Sequence, residues 1–518
     1  MINLTKIKIL NTSFFYLIIL SVFSFLINFY YSRLGSFPID TFLHYDSASR
    51  ILKGELPVRD YWIVSGLTVD FIQSIFFKIF GVNWFAYTIH SSLFNSLISA
   101  IVYVFFLKLE ISKIKSFIYA LSFATLSYTI SGTPFVDLHA TYFLLISTLL
   151  ISCNLSSSQT YIWPTIIFLF FLSFLSKQVP AAYAGIVYAI ILTIFFITKK
   201  DYKKIIINLI LIASLFILFY LFLSYFKIDY KNFFIQYIDY PRSIGSNRIF
   251  NFEITFVSIF NKFKFVLVPL FYLIFIKFRS KDSIEKKFEF FIFASFTIIM
   301  LFHQLLTKNQ IYIYFLIPLL FAFLEKELDK KNYKLKKIIS IVLIIILVFI
   351  TVKYHFRFNE NRKFHELNKE HLSSTVDAEK IHKSLSGLKW KNPIYLGSSL
   401  EEIKILNKAQ KIIDDPKFKD FILITHYQFF DSISKKNLNA PSKTYTTDGT
   451  SMPLNNNKYF DYYKNFLQNK IYKTKVNKIL FFKHENIPST VITNYFQDNC
   501  FEIDENEIFY VYKLVCSR

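Results

Sequence analysis

The sequence predicts an α-helical polytopic membrane protein of about eleven transmembrane helices with a C-terminal soluble domain of α/β or α+β type. Three observations carry that expectation. Hydrophobic residues make up 53% of the 518 residues and charged residues 18%, against about 25% charged in an ordinary soluble domain. The apolar residues come in runs of about 18–25, the length that crosses a bilayer. Lys and Arg gather after alternate runs, as they do in loops kept on the cytoplasmic side. The 64 Phe and 34 Tyr exclude a disordered chain.

The first run, 9–30, follows Lys6 and Lys8. It is too long for a signal-peptide core and no small-residue cleavage site follows it, so it is expected to stay as a helix. Ten more runs lie at 84–107, 116–131, 140–155, 161–176, 180–198, 205–226, 264–276, 288–306, 311–324 and 338–352. The basic clusters are Lys108, Lys113 and Lys115; Lys199, Lys200, Lys203 and Lys204; Lys277, Arg279, Lys281, Lys286 and Lys287; and Lys326, Lys330, Lys331, Lys334, Lys336 and Lys337. With Lys6 and Lys8 they hold 20 of the 34 Lys and Arg before residue 354. That threading sets the N-terminus inside the cell (inner) membrane and, with eleven spans, the C-terminal segment outside. It also removes the nucleic-acid reading of the +23 net charge, because the excess sits mainly on inner loops.

The predicted division is a membrane domain over 1–353 and an extracytoplasmic domain over 354–518. Three outer segments are long enough to act: 31–83, 227–263 and the tail. The tail holds 25 basic and 19 acidic residues, an ordinary soluble mixture. Its apolar stretches 393–396 and 421–425 are expected to be buried strands. Cys500 and Cys516 bracket a strand, an acidic turn and a second strand. In an oxidising compartment they are expected to form a disulfide worth roughly 3 kcal/mol; two buried thiols are the alternative. Cys153 falls inside a span and is expected to be apolar filler.

The sequence contains no Gly-rich phosphate loop, Cys/His metal cluster or Gly-x-Ser-x-Gly elbow. Chemistry must therefore rest on carboxylates and basic groups at the outer face. Segment 37–62 is the richest. Tyr45, Ala48, Ile51 and Leu52 recur at helical spacing, and Gly54 and Pro57 stop the helix. Asp40 at its start is either an N-cap or a general base held over the membrane surface. Asp46 and Arg50, four apart, are either a surface ion pair or part of a site. Asp137 and His139 sit in the second outer loop, where a carboxylate faces a wet cavity or caps the helix starting near Ala140. Lys177 and Gln178 interrupt two spans; the Lys either snorkels to the headgroups or binds a phosphate as a point charge. Arg242 and Arg248 lie near Tyr237 and Tyr240, a pairing that suits phosphate and sugar or else a solvated loop. His303, Lys308 and Asn309 crowd the outer ends of two later spans.

Asp40, then Ala48, Ile51-Leu52 and Gly54, followed by Arg59-Asp60-Tyr61-Trp62, resembles the first outer loop of GT-C glycosyltransferases. The likeness is to the protein O-mannosyltransferase and aminoarabinose-transferase-like group. Members carry an acidic residue, an Ala-x-x-Leu-Leu-x-Gly helix and a Tyr-x-Asp-like turn, and 65–81 looks like their juxtamembrane helix. This chain has Thr41 where many members have Glu. The likeness covers about the first 330 residues in topology.

The resemblance implies a membrane glycosyltransferase. The donor would be a polyprenyl-phosphate-linked sugar, met at the membrane lipids, and the acceptor an extracytoplasmic glycan, lipid or protein. Asp40 would take the acceptor proton during an inverting displacement. Lys177, Arg242, Arg248 and Lys308 would balance the departing phosphate. Asp60 and Asp137 would orient the acceptor or hold a divalent cation, the one cofactor left open. His44, Asp46, Arg59, His139, Gln178 and Asn309 are expected to bind substrate beside them; Lys308 and Asn309 look similar to a loop those enzymes place over the donor. A transporter or flippase, and an envelope-assembly membrane protein, are the rivals from other classes.

Overall fold

Eight helices of the structure, a computed structural model, are long and apolar enough to cross a membrane. The residues described are 4–127, 132–157, 159–250, 255–307, 313–330, 335–361, 367, 373–497 and 500–516. The eight are Thr12–Tyr31, Trp84–Lys108, Val136–Ser157, Gln178–Thr198, Tyr202–Tyr225, Ile259–Arg279, Ile284–Leu306 and Lys336–Phe358.

The expected count of eleven is therefore corrected. The other three apolar runs form Lys113–Ser127, Trp163–Ser176 and Leu316–Asp329, of 15, 14 and 14 residues. At 1.5 Å per residue these reach about 22 Å, short of a ~30 Å hydrocarbon core. Hydropathy counted them because they are apolar; length disqualifies them. Tyr202–Tyr225 shows the opposite extreme: only 6% of its apolar window is buried. Leu209, Ile210, Phe216 and Ile217 stand exposed along it, a surface that water does not tolerate and lipid does.

The chain packs as two compact units. The first takes Met1–Ser32, Thr88–Ile217 and Phe252–Lys369; the second takes Arg33–Tyr87, Leu218–Asn251 and Glu370–Arg518. Most of the three segments that lie between or beyond the apolar runs thus folds into one unit, and the division does not fall at a single point near residue 353.

In the first unit small polar side chains join the helices. Asn28 Nδ2 donates to Ser91 Oγ and Ser92 Oγ, each at 3.0 Å, and Asn95 Nδ2 donates to Ser24 O at 2.8 Å. In hydrocarbon such bonds have no water to compete with them. Several lysines of the basic clusters are matched by acids on helix ends. Glu325 accepts from Lys115, from Tyr119 Oη at 3.1 Å and from Ser340 Oγ at 2.8 Å. Lys277 lies between Asp282 at 2.8 Å and Glu327 at 2.6 Å.

The second unit is built on a four-stranded sheet. Its strands are β3 (Phe421–Ile424), β4 (Lys478–Phe482), β5 (Phe501–Glu505) and β6 (Phe509–Leu514), in the order β3-β4-β6-β5. β3 and β4 run parallel, with Ile422 opposite Ile479; the other pairs are antiparallel. A two-stranded ladder of β1 (Val376–Asp377) and β2 (Lys389–Trp390) lies outside this sheet. The helices Ser399–Asp414 and Phe460–Thr474 follow amphipathic stretches, and the first starts with a reciprocal Ser398–Glu401 capping box. Cys500 and Cys516 are bonded across the β5–β6 hairpin, with Cα atoms 4.6 Å apart. The expected strand at 421–425 is β3, but 393–396 is a loop. Ile394 is 54% exposed and Leu396 fully so, because no strand pairs with them.

Segment 33–87 is part of this unit's interior. Trp62 N–H donates to Pro441 O at 2.8 Å and Lys443 N–H to Trp62 O at 3.0 Å. Phe42 stacks on Trp390 with centroids 6.0 Å apart and meets Phe429 edge-on at 4.8 Å. The predicted helix is present as Leu43–Leu52, and Gly54, at φ +90°, turns the chain after it. The juxtamembrane helix is Leu67–Phe80.

Candidate functional site

Asp137 opens the best-formed cluster of the first unit. Its helix begins just after Gly132, at φ +71°, where a Cβ would lie 2.3 Å from the Ser32 backbone. Only glycine fits, and its carbonyl accepts from Asn28 Nδ2 at 3.2 Å and from Ser91 Oγ at 2.5 Å. The loop that delivers Asp137 is thereby pinned. Asp137 lies inside the first turn of Val136–Ser157 and is not its N-cap. Lys177 sits in the one-residue break between Trp163–Ser176 and Gln178–Thr198, with extended backbone angles of −155° and 135°. From there its Nζ reaches Asp137 Oδ1 at 2.5 Å. His303 Nε2, near the end of Ile284–Leu306, meets the same oxygen at 3.0 Å.

Both partners thus converge on Oδ1. Asp137 Oδ2 is buried and has no hydrogen-bond partner among the described residues, and neither does His303 Nδ1. An orphaned buried polar atom costs about 1–3 kcal/mol, so native structures rarely keep one without a use. His139, two residues on, points elsewhere: its Nε2 lies 3.0 Å from His90 Nε2 and its Nδ1 2.9 Å from Phe135 O. Gln178 starts the next helix. Lys308 and Asn309 lie outside the described residues, as does the side chain of Arg248.

The resemblance-bearing residues belong to the second unit. Asp40 is half-buried in the short helix Pro38–Thr41, and the N-cap of Leu43–Leu52 is Phe42, so Asp40 does not cap it. Asp46 and Arg50 are not a surface pair. They are 3% and 2% exposed, with Arg50 Nη1 3.8 Å from Asp46 Oδ2. Arg50 Nε binds Glu55 at 2.6 Å, Nη2 donates to Ala440 O at 2.8 Å, and the guanidinium lies 3.8 Å from the Tyr61 ring centre. Burial pushes Asp46 up to about 8, against the pull of Arg50. Burial would also raise Glu55, but Arg50 and Lys470 beside it hold it down at about 2.

His44 Nδ1 meets Asp70 Oδ1 at 2.6 Å, and Lys443 Nζ meets Asp70 Oδ2 at 2.6 Å; all three are buried. Burial, reinforced by Lys443, holds His44 down at about 4. Asp70 and Lys443 were not among the residues the sequence singled out. They are 373 positions apart, and nothing local marks either as the other's partner.

Arg59 and Asp60 border a cleft of about 470 Å³ in this unit, together with Lys470, Lys473, Asn465 and Asn469. Asp60 Oδ2 accepts from Leu56 N–H at 2.7 Å and from Arg59 Nη2 at 2.7 Å, so the carboxylate closes its own turn. Segment 227–263 was expected to be an open loop, yet 230–250 is helical. It buries Tyr237 and Tyr240 and leaves Arg242 exposed. Among the described residues no group of three His, Cys, Asp or Glu is placed to hold a metal ion.

No family model matches the chain, and no curated protein matches it either.

Proposed function

We propose that the chain is a membrane-embedded glycosyltransferase that moves a sugar from a polyprenyl-phosphate carrier to an extracytoplasmic acceptor, with inversion. The observation that supports it is the Asp137 cluster. One carboxylate oxygen is held by Lys177 and His303, while the other has no protein donor. A carboxylate oriented in this way suits a general base, because an acceptor hydroxyl can donate to the open oxygen. As the acceptor oxygen bonds to the anomeric carbon, the bond from that carbon to the phosphate oxygen breaks. The hydroxyl proton passes to Asp137 and the lipid phosphate leaves. Lys177, at the helix break, is the cation nearest to balance the leaving charge.

Asp137 is assigned the base in preference to Asp60, whose Oδ2 already accepts from Leu56 N–H and from Arg59 Nε and Nη2. Asp40, which the resemblance favours, is the rival base. The test is sugar transfer from a labelled polyprenyl-phosphate donor in membranes carrying Asp137→Asn or Asp40→Asn. Asp137→Asn should lower the rate by about 10²–10⁴-fold and Asp40→Asn by a few-fold. The reverse result moves the base to Asp40, and full activity in both variants sinks the reading.

One observation favours a second reading. A Lys at a break between two apolar helices, paired with a buried Asp, is also how a proton-coupled transporter builds its site. Proton-coupled solute flux that is lost in Lys177→Met, with no sugar transfer by the parent chain, would support that reading.

A further inference from the structure

The second unit has a crevice whose position is set by strand direction. β3 and β4 are parallel neighbours, so the segments leaving them, Thr425–Tyr427 and Lys483–Asn486, emerge at the same end. The carboxyl ends of adjacent parallel strands are where open α/β sheets bind ligands, since the chain must diverge there. A cavity of about 460 Å³ lies at this end, between those two segments, the 392–397 loop and Pro38–Ile39.

Its interior is fixed. Glu485 accepts from Thr425 Oγ1 at 2.5 Å and from His426 N–H at 2.9 Å. His426 Nε2 lies 2.8 Å from Tyr445 O, a carbonyl, and so is the protonated nitrogen; Nδ1 is left as an acceptor in the neutral ring. Asn392 Nδ2 donates to Glu402 at 2.9 Å, and Tyr427 Oη donates to the same carboxylate at 2.7 Å. Above this floor the rim is apolar and aromatic. The 394–396 loop holds Ile394, Tyr395 and Leu396 out from the protein, and Asn486 stands exposed opposite them. An exposed apolar rim over a polar, hydrogen-bonding floor has no packing rationale of its own.

The charges select the ligand class. The helix N-terminus beside the crevice, a natural anion site, is already capped by Ser398 and carries Glu401 and Glu402. Glu485 adds a third carboxyl group, and Lys483 is paired with Glu505 at 2.6 Å. A phosphate would meet acids and one committed cation. A neutral hydroxyl-rich molecule would meet donors and acceptors in the floor and aromatic or apolar faces at the rim.

We propose that this crevice is a binding site for a neutral sugar, formed by Tyr395, Asn486, His426 and Glu485. It does not depend on the transferase reading, because it concerns binding and not transfer. The full chain in lipid nanodiscs, free of sugar-headed detergent, is mixed with neutral methyl glycosides and examined by saturation-transfer NMR. At least one glycoside should show transfer that weakens about tenfold in Tyr395→Ala and in Asn486→Ala, both changes at loop positions outside the buried core. Inorganic phosphate should not displace it. No signal with any glycoside, a signal unchanged in both variants, or displacement by phosphate would each overturn the proposal.

Discussion

Each unit buries one Asp, one His and one Lys together, and the two trios differ in how the carboxylate is satisfied. In the second unit Asp70 gives Oδ1 to His44 and Oδ2 to Lys443. Both oxygens are occupied, and three chain segments distant in sequence are tied together. In the first unit Lys177 and His303 share Oδ1 of Asp137, and Oδ2 is left over. Composition is the same in both. Unused hydrogen-bonding capacity separates a group that can meet a substrate from one that locks a fold.

The largest expected effect falls on the open trio. Asp137→Asn should reduce transfer by about 10²–10⁴-fold, read as initial rate in membranes. Its cost in stability should be smaller than that of Asp70→Asn, because the Lys177 side chain is 18% exposed and can be rehydrated, whereas His44 and Lys443 are 0% and 5% exposed. Asp70→Asn should destabilise the second unit by about 3–5 kcal/mol, the typical loss when a buried pair is broken. Limited proteolysis of the tail would read it, and a wild-type digestion rate would show that the closed trio is not a lock.

A third change probes the same unit without touching either trio. Removing the Cys500–Cys516 bridge by a double Ser substitution should cost roughly 3 kcal/mol, seen as a lower thermal midpoint. The smallest effect is in pH. Burial pushes Glu485 from an ordinary 4.5 up to about 8, so the folded chain keeps a proton that the unfolded chain has lost. That contribution is complete below pH 4.5 and disappears as pH rises to about 8. Glu485→Gln should therefore flatten the fall in stability between pH 5 and 8 and leave the variant the more stable of the two at pH 8. Parallel curves for the two proteins would contradict the assignment.

Much of the helical architecture was legible because hydropathy runs are local. The misjudged spans show where that signal stops: 14 or 15 apolar residues look like a span until the helix ends are located. Asp137 and Lys177 were legible one at a time, as charges at the ends of apolar runs. Their contact was not, because 40 residues and a helix break separate them. Asp70 was hidden as an acid in the first turn of a helix, an ordinary place for one. Lys443 was hidden in a tail rich in Lys. The 393–396 run was misread because four apolar residues in a row suit a buried strand as well as an exposed rim. Only the absence of a pairing neighbour separates the two, and no short window contains it.

The most direct test compares the two carboxylates in one assay. Asp137→Asn and Asp70→Asn are prepared as full chains, the folded fraction of each is measured, and sugar transfer from polyprenyl phosphate is expressed per folded molecule. The expected result is a loss of at least a hundredfold for Asp137→Asn and an unchanged rate for folded Asp70→Asn. An unchanged rate for Asp137→Asn, or an equal loss in both, would contradict the assignment of the open carboxylate as the reacting group.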